Sequence, residues 1–102
     1  MSSYFISYEK EMRLVSFGKS TRSGKKYMVI LEPKKTIHFG ADGYDDYTTH
    51  HDDARKAKYI QRHASREDWN DPLTAGFWSR WILWNKKTVA ASVNDVKKRF
   101  SL

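Results

Sequence analysis

The chain has 102 residues, no Cys, 15% aromatic side chains and a formal charge of +7, from 19 Lys and Arg against 12 Asp and Glu. That length builds one core and not two, and the lack of Cys removes disulfide scaffolds, thiolate zinc sites and thiol nucleophiles. No apolar run approaches the ~20 residues a bilayer requires, so no membrane span is expected. The first ten residues lack the charged start and apolar stretch of a signal peptide, so secretion is not expected either. Residues 1–40 and 72–102 are basic, whereas 41–71 are acidic. An acidic middle between basic arms suits pairing within the fold, contact with a second copy, or a polyanionic partner.

Residues 1–9 read as a flexible arm and 10–102 as a single domain. Arg13-Leu14-Val15-Ser16-Phe17 and Tyr27-Met28-Val29-Ile30-Leu31 are β-branched or aromatic runs of strand length. Between them, Gly18 to Gly24 is rich in turn formers and charge, which predicts a hairpin with a basic tip. Glu32-Pro33-Lys34-Lys35 reads as a type I turn, and Thr36-Ile37-His38-Phe39-Gly40 resumes the strand pattern. Three strands in an antiparallel meander follow, with a central strand apolar on both faces and expected to be covered on both.

The Asp- and Gly-rich stretch after Gly40 predicts a loop, and helix is expected from about His50 to Ala64. There Thr49 and Asp52 resemble a capping box, Ala54, Ala57, Ile60 and Ala64 share a narrow face, and Asp52 can pair with Lys56. Asp71-Pro72 reads as the start of the next helix, whose stripe is Leu73, Phe77, Trp81 and Trp84, widened by Trp78 and Ile82. Thr88 opens a last helix with Val89, Val93, Val96 and Phe100 on one side and Lys97, Lys98 and Arg99 at its negative end. The fold class is therefore α+β: a three-stranded antiparallel meander followed by three helices, in one small domain.

No nucleophile has a neighbouring base, no Gly-rich segment carries a Lys-Ser or Lys-Thr pair, and the His residues lack the i, i+4 spacing of a helical zinc pair. The expectation is a non-enzymatic protein with no cofactor and no metal. A metal-dependent nuclease through His50, Asp52 and His63 is the weakest of the alternatives, and the hairpin-and-helix pattern of His38 and His63 lacks the Asn such nucleases carry between them. Lys19, Arg22, Lys25 and Lys26, with Lys34 and Lys35 on the adjacent turn, form a candidate surface for nucleic acid or an acidic partner. Lys97, Lys98 and Arg99 form a second one. Trp78, off the main stripe with Arg80 nearby, is a candidate protein interface.

Ile37-His38-Phe39-Gly40, Asp46-Tyr47-Thr48 with His50 and Asp52, Tyr59 with Arg62-His63, Glu67-Asp68-Trp69, Thr74 to Trp81 and Leu83-Trp84-Asn85 carry a resemblance. Together they resemble a family of small proteins encoded by the nucleocytoplasmic large double-stranded DNA viruses of algae and amoebae. The resemblance implies a viral protein in the virion, or in the cytoplasm or nucleus of an infected cell. Its implied role is that of a minor capsid or other structural protein whose partners are viral proteins or further copies of itself, with DNA binding as the alternative. Within the shared motif, Asp46, His50, Asp52, Arg62 and His63 are expected to form a structural polar network tying the loop to the first helix, with Trp69 docking the turn that follows.

Overall fold

The computed structural model describes residues 12–102, so the expected N-terminal arm lies outside the described residues. Strands β1 (Arg13–Lys19), β2 (Lys25–Glu32) and β3 (Lys35–Ala41) form an antiparallel sheet in the order β1-β2-β3. The register pairs Leu14 with Leu31, Phe17 with Val29, Val29 with Ile37 and Tyr27 with Phe39. That alignment stacks the apolar residues of three strands on one face. A bulge between Leu14 and Ser16 leaves Val15 unpaired and exposed. The Glu32–Pro33 peptide before the second turn is cis. On the opposite face Met28 and Ile30 are only half-buried, so the expectation of cover on both faces of β2 is not met by the described residues.

After the sheet come α1 (Tyr47–His50), α2 (Asp53–His63), α3 (Ala75–Trp78) and α4 (Val89–Arg99), with α3 running on into a π-helical stretch, Ser79–Leu83. The expected first helix is thus two helices. Asp46, not Thr49, caps α1, with Thr49 completing the box from the third helical position, and Asp52 caps α2. Between them His51 takes φ 56, a left-handed conformation that breaks the run. The seam of α2 also differs: Tyr59 is its buried residue, while Ala54, Ala57 and Ala64 face solvent. Lys56 does not pair with Asp52; its ammonium donates to the Asn85 carbonyl at 2.6 Å.

Asp71-Pro72 forms a turn rather than a helix start. The Leu73 N–H donates to Asp71 Oδ1 at 3.0 Å, and the helix begins after Thr74, whose hydroxyl accepts from the Phe77 N–H at 3.2 Å. The turn leaves the Pro72 carbonyl free to accept from the Trp78 indole at 2.7 Å, which satisfies a buried donor. Thr88 caps α4 as expected. The core lies between the sheet and one layer of helix: Val29, Leu31, Ile37 and Phe39 meet Phe77, Trp78, Ile82, Leu83 and Val96. The architecture is a three-stranded meander covered on one face by helices.

Candidate functional site

Strand register decides where the cations go. Because β2 is central, the loop before it and the turn after it lie at opposite ends of the sheet, about 25 Å apart for eight residues at ~3.4 Å each. Lys19, Arg22 and Lys25 therefore stand at one end and Lys34 and Lys35 at the other, not in a single cluster. The turn end gathers more charge than the sequence reading assigned to it. Arg13 pairs in register with Glu32, and Leu31 pairs with both Leu14 and Lys35. The Leu14 N–H donates to the Leu102 carbonyl at 3.2 Å, and the Leu102 N–H to the Lys97 carbonyl at 2.9 Å. These bonds tie the C-terminal end of α4 to the start of β1. Arg13, Lys34, Lys35, Lys97 and Lys98, all exposed, are thereby brought to one end of the molecule.

Two of the expected surface cations are engaged internally. Lys26 bonds the Tyr44 carbonyl and forms an ion pair with the buried Asp46 at 2.5 Å. Arg99 pairs with Asp95 at 3.1 Å and stacks 4.4 Å from the Trp81 ring. The acidic middle is also engaged locally, although most of its carboxylates stay exposed. Asp52 accepts from the Ala54 and Arg55 N–H groups, Asp53 from the Tyr47 hydroxyl, Asp68 from the Asn70 N–H and Asp71 from the Leu73 N–H. Caps and turns take up these carboxylates, and Lys26–Asp46 is the one ion pair among the described residues that joins the acidic middle to a basic arm.

The five-residue polar network expected from Asp46, His50, Asp52, Arg62 and His63 does not assemble as one unit. Helix α2, about 16 Å long at 1.5 Å per residue, holds Asp52 and His63 at opposite ends. Asp46 joins Lys26, and the His50 Nδ1 accepts from the Asp52 N–H at 2.9 Å. His63 Nδ1 donates to Glu67 at 3.2 Å, and Glu67 also accepts from the Trp69 indole at 2.8 Å. The Arg62 side chain is exposed and outside all three groups. The same separation takes His50, Asp52 and His63 apart as a nuclease set, and among the described residues no three His, Asp or Glu are arranged to hold a metal.

A cavity of about 500 Å³ lies between the loop end of the sheet and α2, and its walls include Lys26, Asp46, Tyr59, His63, Glu67 and Ser79. Its aromatic wall is a stack: Tyr59 lies 4.4 Å from Trp84, the rings nearly parallel, and 4.4 Å from His63. Burial, reinforced by the Glu67 charge, pushes the Tyr59 phenol well above its ordinary value. Glu67 orients His63 from one side, but Ser79 makes no hydrogen bond to the imidazole, so His63 does not activate the Ser79 hydroxyl. Tyr59 and Glu67 belong to the motif that carries the resemblance, but the sequence assigned neither a place at this cavity. Glu67 packs closely on Gly76, where a Cβ would come 2.9 Å from its carboxyl carbon.

Trp78 is fully buried and packs on Phe39 and Phe77, so it presents no interface. Trp78 is carried by α3, ahead of the π-helical stretch, whose wider turn sends Ile82 and Leu83 into the core and leaves Trp81 and Trp84 half-buried at its rim. Arg80 is held inside as well: its Nη1 donates to the Trp84 carbonyl at 2.7 Å and its guanidinium lies 4.3 Å from the Trp81 ring.

A small α+β domain of this kind, a meander with one helical layer, is what the geometry defines. Residues 10–63, just over half of the chain, match the family of unknown function DUF5754, and the chain belongs to that family. No curated protein and no solved structure matches the chain.

Proposed function

We propose that this chain is a non-enzymatic nucleic-acid-binding domain that grips a phosphate backbone with the turn end of its sheet, through Arg13, Lys34, Lys35, Lys97 and Lys98. One observation carries the reading: the Leu14 to Leu102 hydrogen bond joins two basic segments that the sequence keeps more than 60 residues apart. Five exposed cations then share one end with, among the described residues, a single strand carboxylate, Glu32. At the loop end, by contrast, Asp42 bonds back to the Gly24 carbonyl and so lies beside Lys25. In the setting that the viral resemblance implies, the partner is the packaged genome and the protein a minor virion component. The competing reading, a protein interface through Trp78 and Arg80, loses its anchor because both side chains are engaged in the core.

Phosphate contacts release counterions, so log affinity falls with log salt by roughly 0.9 per contact on duplex DNA. Fluorescence anisotropy with a labelled DNA duplex is expected to give a steep salt dependence. In the variant carrying both Lys34→Glu and Lys35→Glu, the slope should fall by about 2 and the affinity by about tenfold or more. A slope near zero, or one untouched by these substitutions, overturns the proposal.

A further inference from the structure

Lys56, Arg80 and Lys86 converge on one turn with no carboxylate partner. The Lys56 ammonium donates to the Asn85 carbonyl at 2.6 Å and Arg80 Nη1 to the Trp84 carbonyl at 2.7 Å. Two cations thus hold consecutive carbonyls, and Lys86 is the next residue. The turn is firmly built. Its Lys86 N–H donates to the hydroxyl of the fully buried Ser92 at 3.0 Å, and the buried Asn85 side chain donates to the Trp81 carbonyl at 3.1 Å and to Asp95 at 2.7 Å.

What the turn lacks is a paired carboxylate, although the Asp95 charge reaches Arg80 and Lys86. None of the three cations belongs to an ion pair among the described residues. Asp95, the one carboxylate of α4, is taken by Asn85 and Arg99, and Asp53, which faces Lys56, accepts from the Tyr47 hydroxyl. Arg80 Nε is buried with no hydrogen-bond partner. Burial, then repulsion from Arg80 and Lys86, holds the Lys56 ammonium below its usual range, with Asp53 as the opposing influence. Burial likewise lowers Arg80. A group that brings two or more negative oxygens to this turn would relieve that repulsion by bonding the Lys56 and Lys86 ammonium groups, with the Arg80 charge behind them.

We propose that the turn Trp84–Lys86 is a binding site for a single phosphate group, bridged by the Lys56 and Lys86 ammonium groups and backed by the Arg80 guanidinium. The positive end of α4, which starts just beyond Thr88, adds to the attraction. This site is separate from the turn end of the sheet and does not rest on that reading, because α4 runs about 16 Å between the two.

Isothermal titration calorimetry of the whole chain with inorganic phosphate at low salt tests it. Saturable binding at one site is expected, weakened about tenfold or more by Lys86→Glu and changed less than about twofold by Lys34→Glu with Lys35→Glu. Lys86 is exposed, so its replacement leaves the core intact, which circular dichroism verifies. Amide resonances of Asn85 and Lys86 should shift with phosphate and stay still with chloride at matched ionic strength. No saturable binding, an equal response to chloride, or wild-type binding by Lys86→Glu overturns the site. Adding a DNA duplex distinguishes the sources of the phosphate group. Displacement assigns the site to a nucleic-acid backbone, and independent binding assigns it to a small phosphate ester; both support phosphate recognition here.

Discussion

Asp46 does two jobs from a buried position: it caps α1 through the Thr48 N–H and holds the Lys26 ammonium. Removing a buried partner leaves the other charge uncompensated and costs about 3–5 kcal/mol, and a lost cap adds about 1. Lys26 keeps some exposure and recovers part of that by reaching water, so Asp46→Ala is expected to destabilise the domain by about 3 kcal/mol in urea unfolding. A loss under about 1 kcal/mol would mean that the pair is solvated. Tyr59 gives a residue-scale prediction with pH. Its phenol is held neutral in the fold, so its contribution is complete below the ordinary tyrosine value of about 10 and declines above it, where only the unfolded chain ionises. Thermal stability should therefore fall less steeply between pH 9 and 11, roughly, in Tyr59→Phe than in the parent; parallel curves would contradict it. Asp46 was expected in a network tying the loop to the first helix, but no local pattern announced its partner Lys26, 20 residues upstream. Tyr59 lay off the alanine face that periodicity favoured.

At the scale of elements, the strands were readable because their apolar alternation is short, regular and bounded by turn formers. Helix ends were less so. Asp71-Pro72 has the composition of a start signal, yet Thr74 provides the cap, because Pro72 is needed as an acceptor for the Trp78 indole. Gly40 ties two elements together: at φ 82, it leaves room for Leu83, whose Cδ1 would lie 2.9 Å from an added Cβ, with the Lys26 Cβ at 3.2 Å. Gly40→Ala should cost about 2 kcal/mol or more, from both backbone strain and the close approach. Gly18→Ala, with nothing within 4 Å of its Cβ, should stay within about 0.5 kcal/mol. Equal denaturation midpoints for the two variants would show that β3 and the π-helical stretch are not in firm contact.

For the whole molecule, the net charge could be read from composition, but its arrangement could not. The sequence grouped Lys34 and Lys35 with Lys19 and Arg22 because they are near in number, whereas antiparallel pairing sends them to opposite ends. The meeting of Arg13 with Lys97 and Lys98 depends on one long-range backbone bond that no local pattern announces. The comparison that follows is direct. Reversing Lys97 and Lys98 to Glu should weaken duplex binding by about tenfold, and reversing Lys19 and Arg22 by about threefold or less, in the same salt titration. The opposite ranking would move the interface to the loop end.

The π-helical stretch has a consequence for length variation. The Trp84 N–H reaches back five residues to the Ser79 carbonyl at 3.1 Å, so Ser79–Leu83 behaves as a helix with one residue too many. Deleting a single residue there would close the wide turn to a regular helical one and keep what lies beyond it in register. Trp84 would keep its stack on Tyr59 and the Asn85–Lys86 turn its contact with Lys56, whereas one further inserted residue would swing both by about 100°. Chains that share this architecture should therefore tolerate a one-residue loss between 79 and 83 more readily than a one-residue gain there.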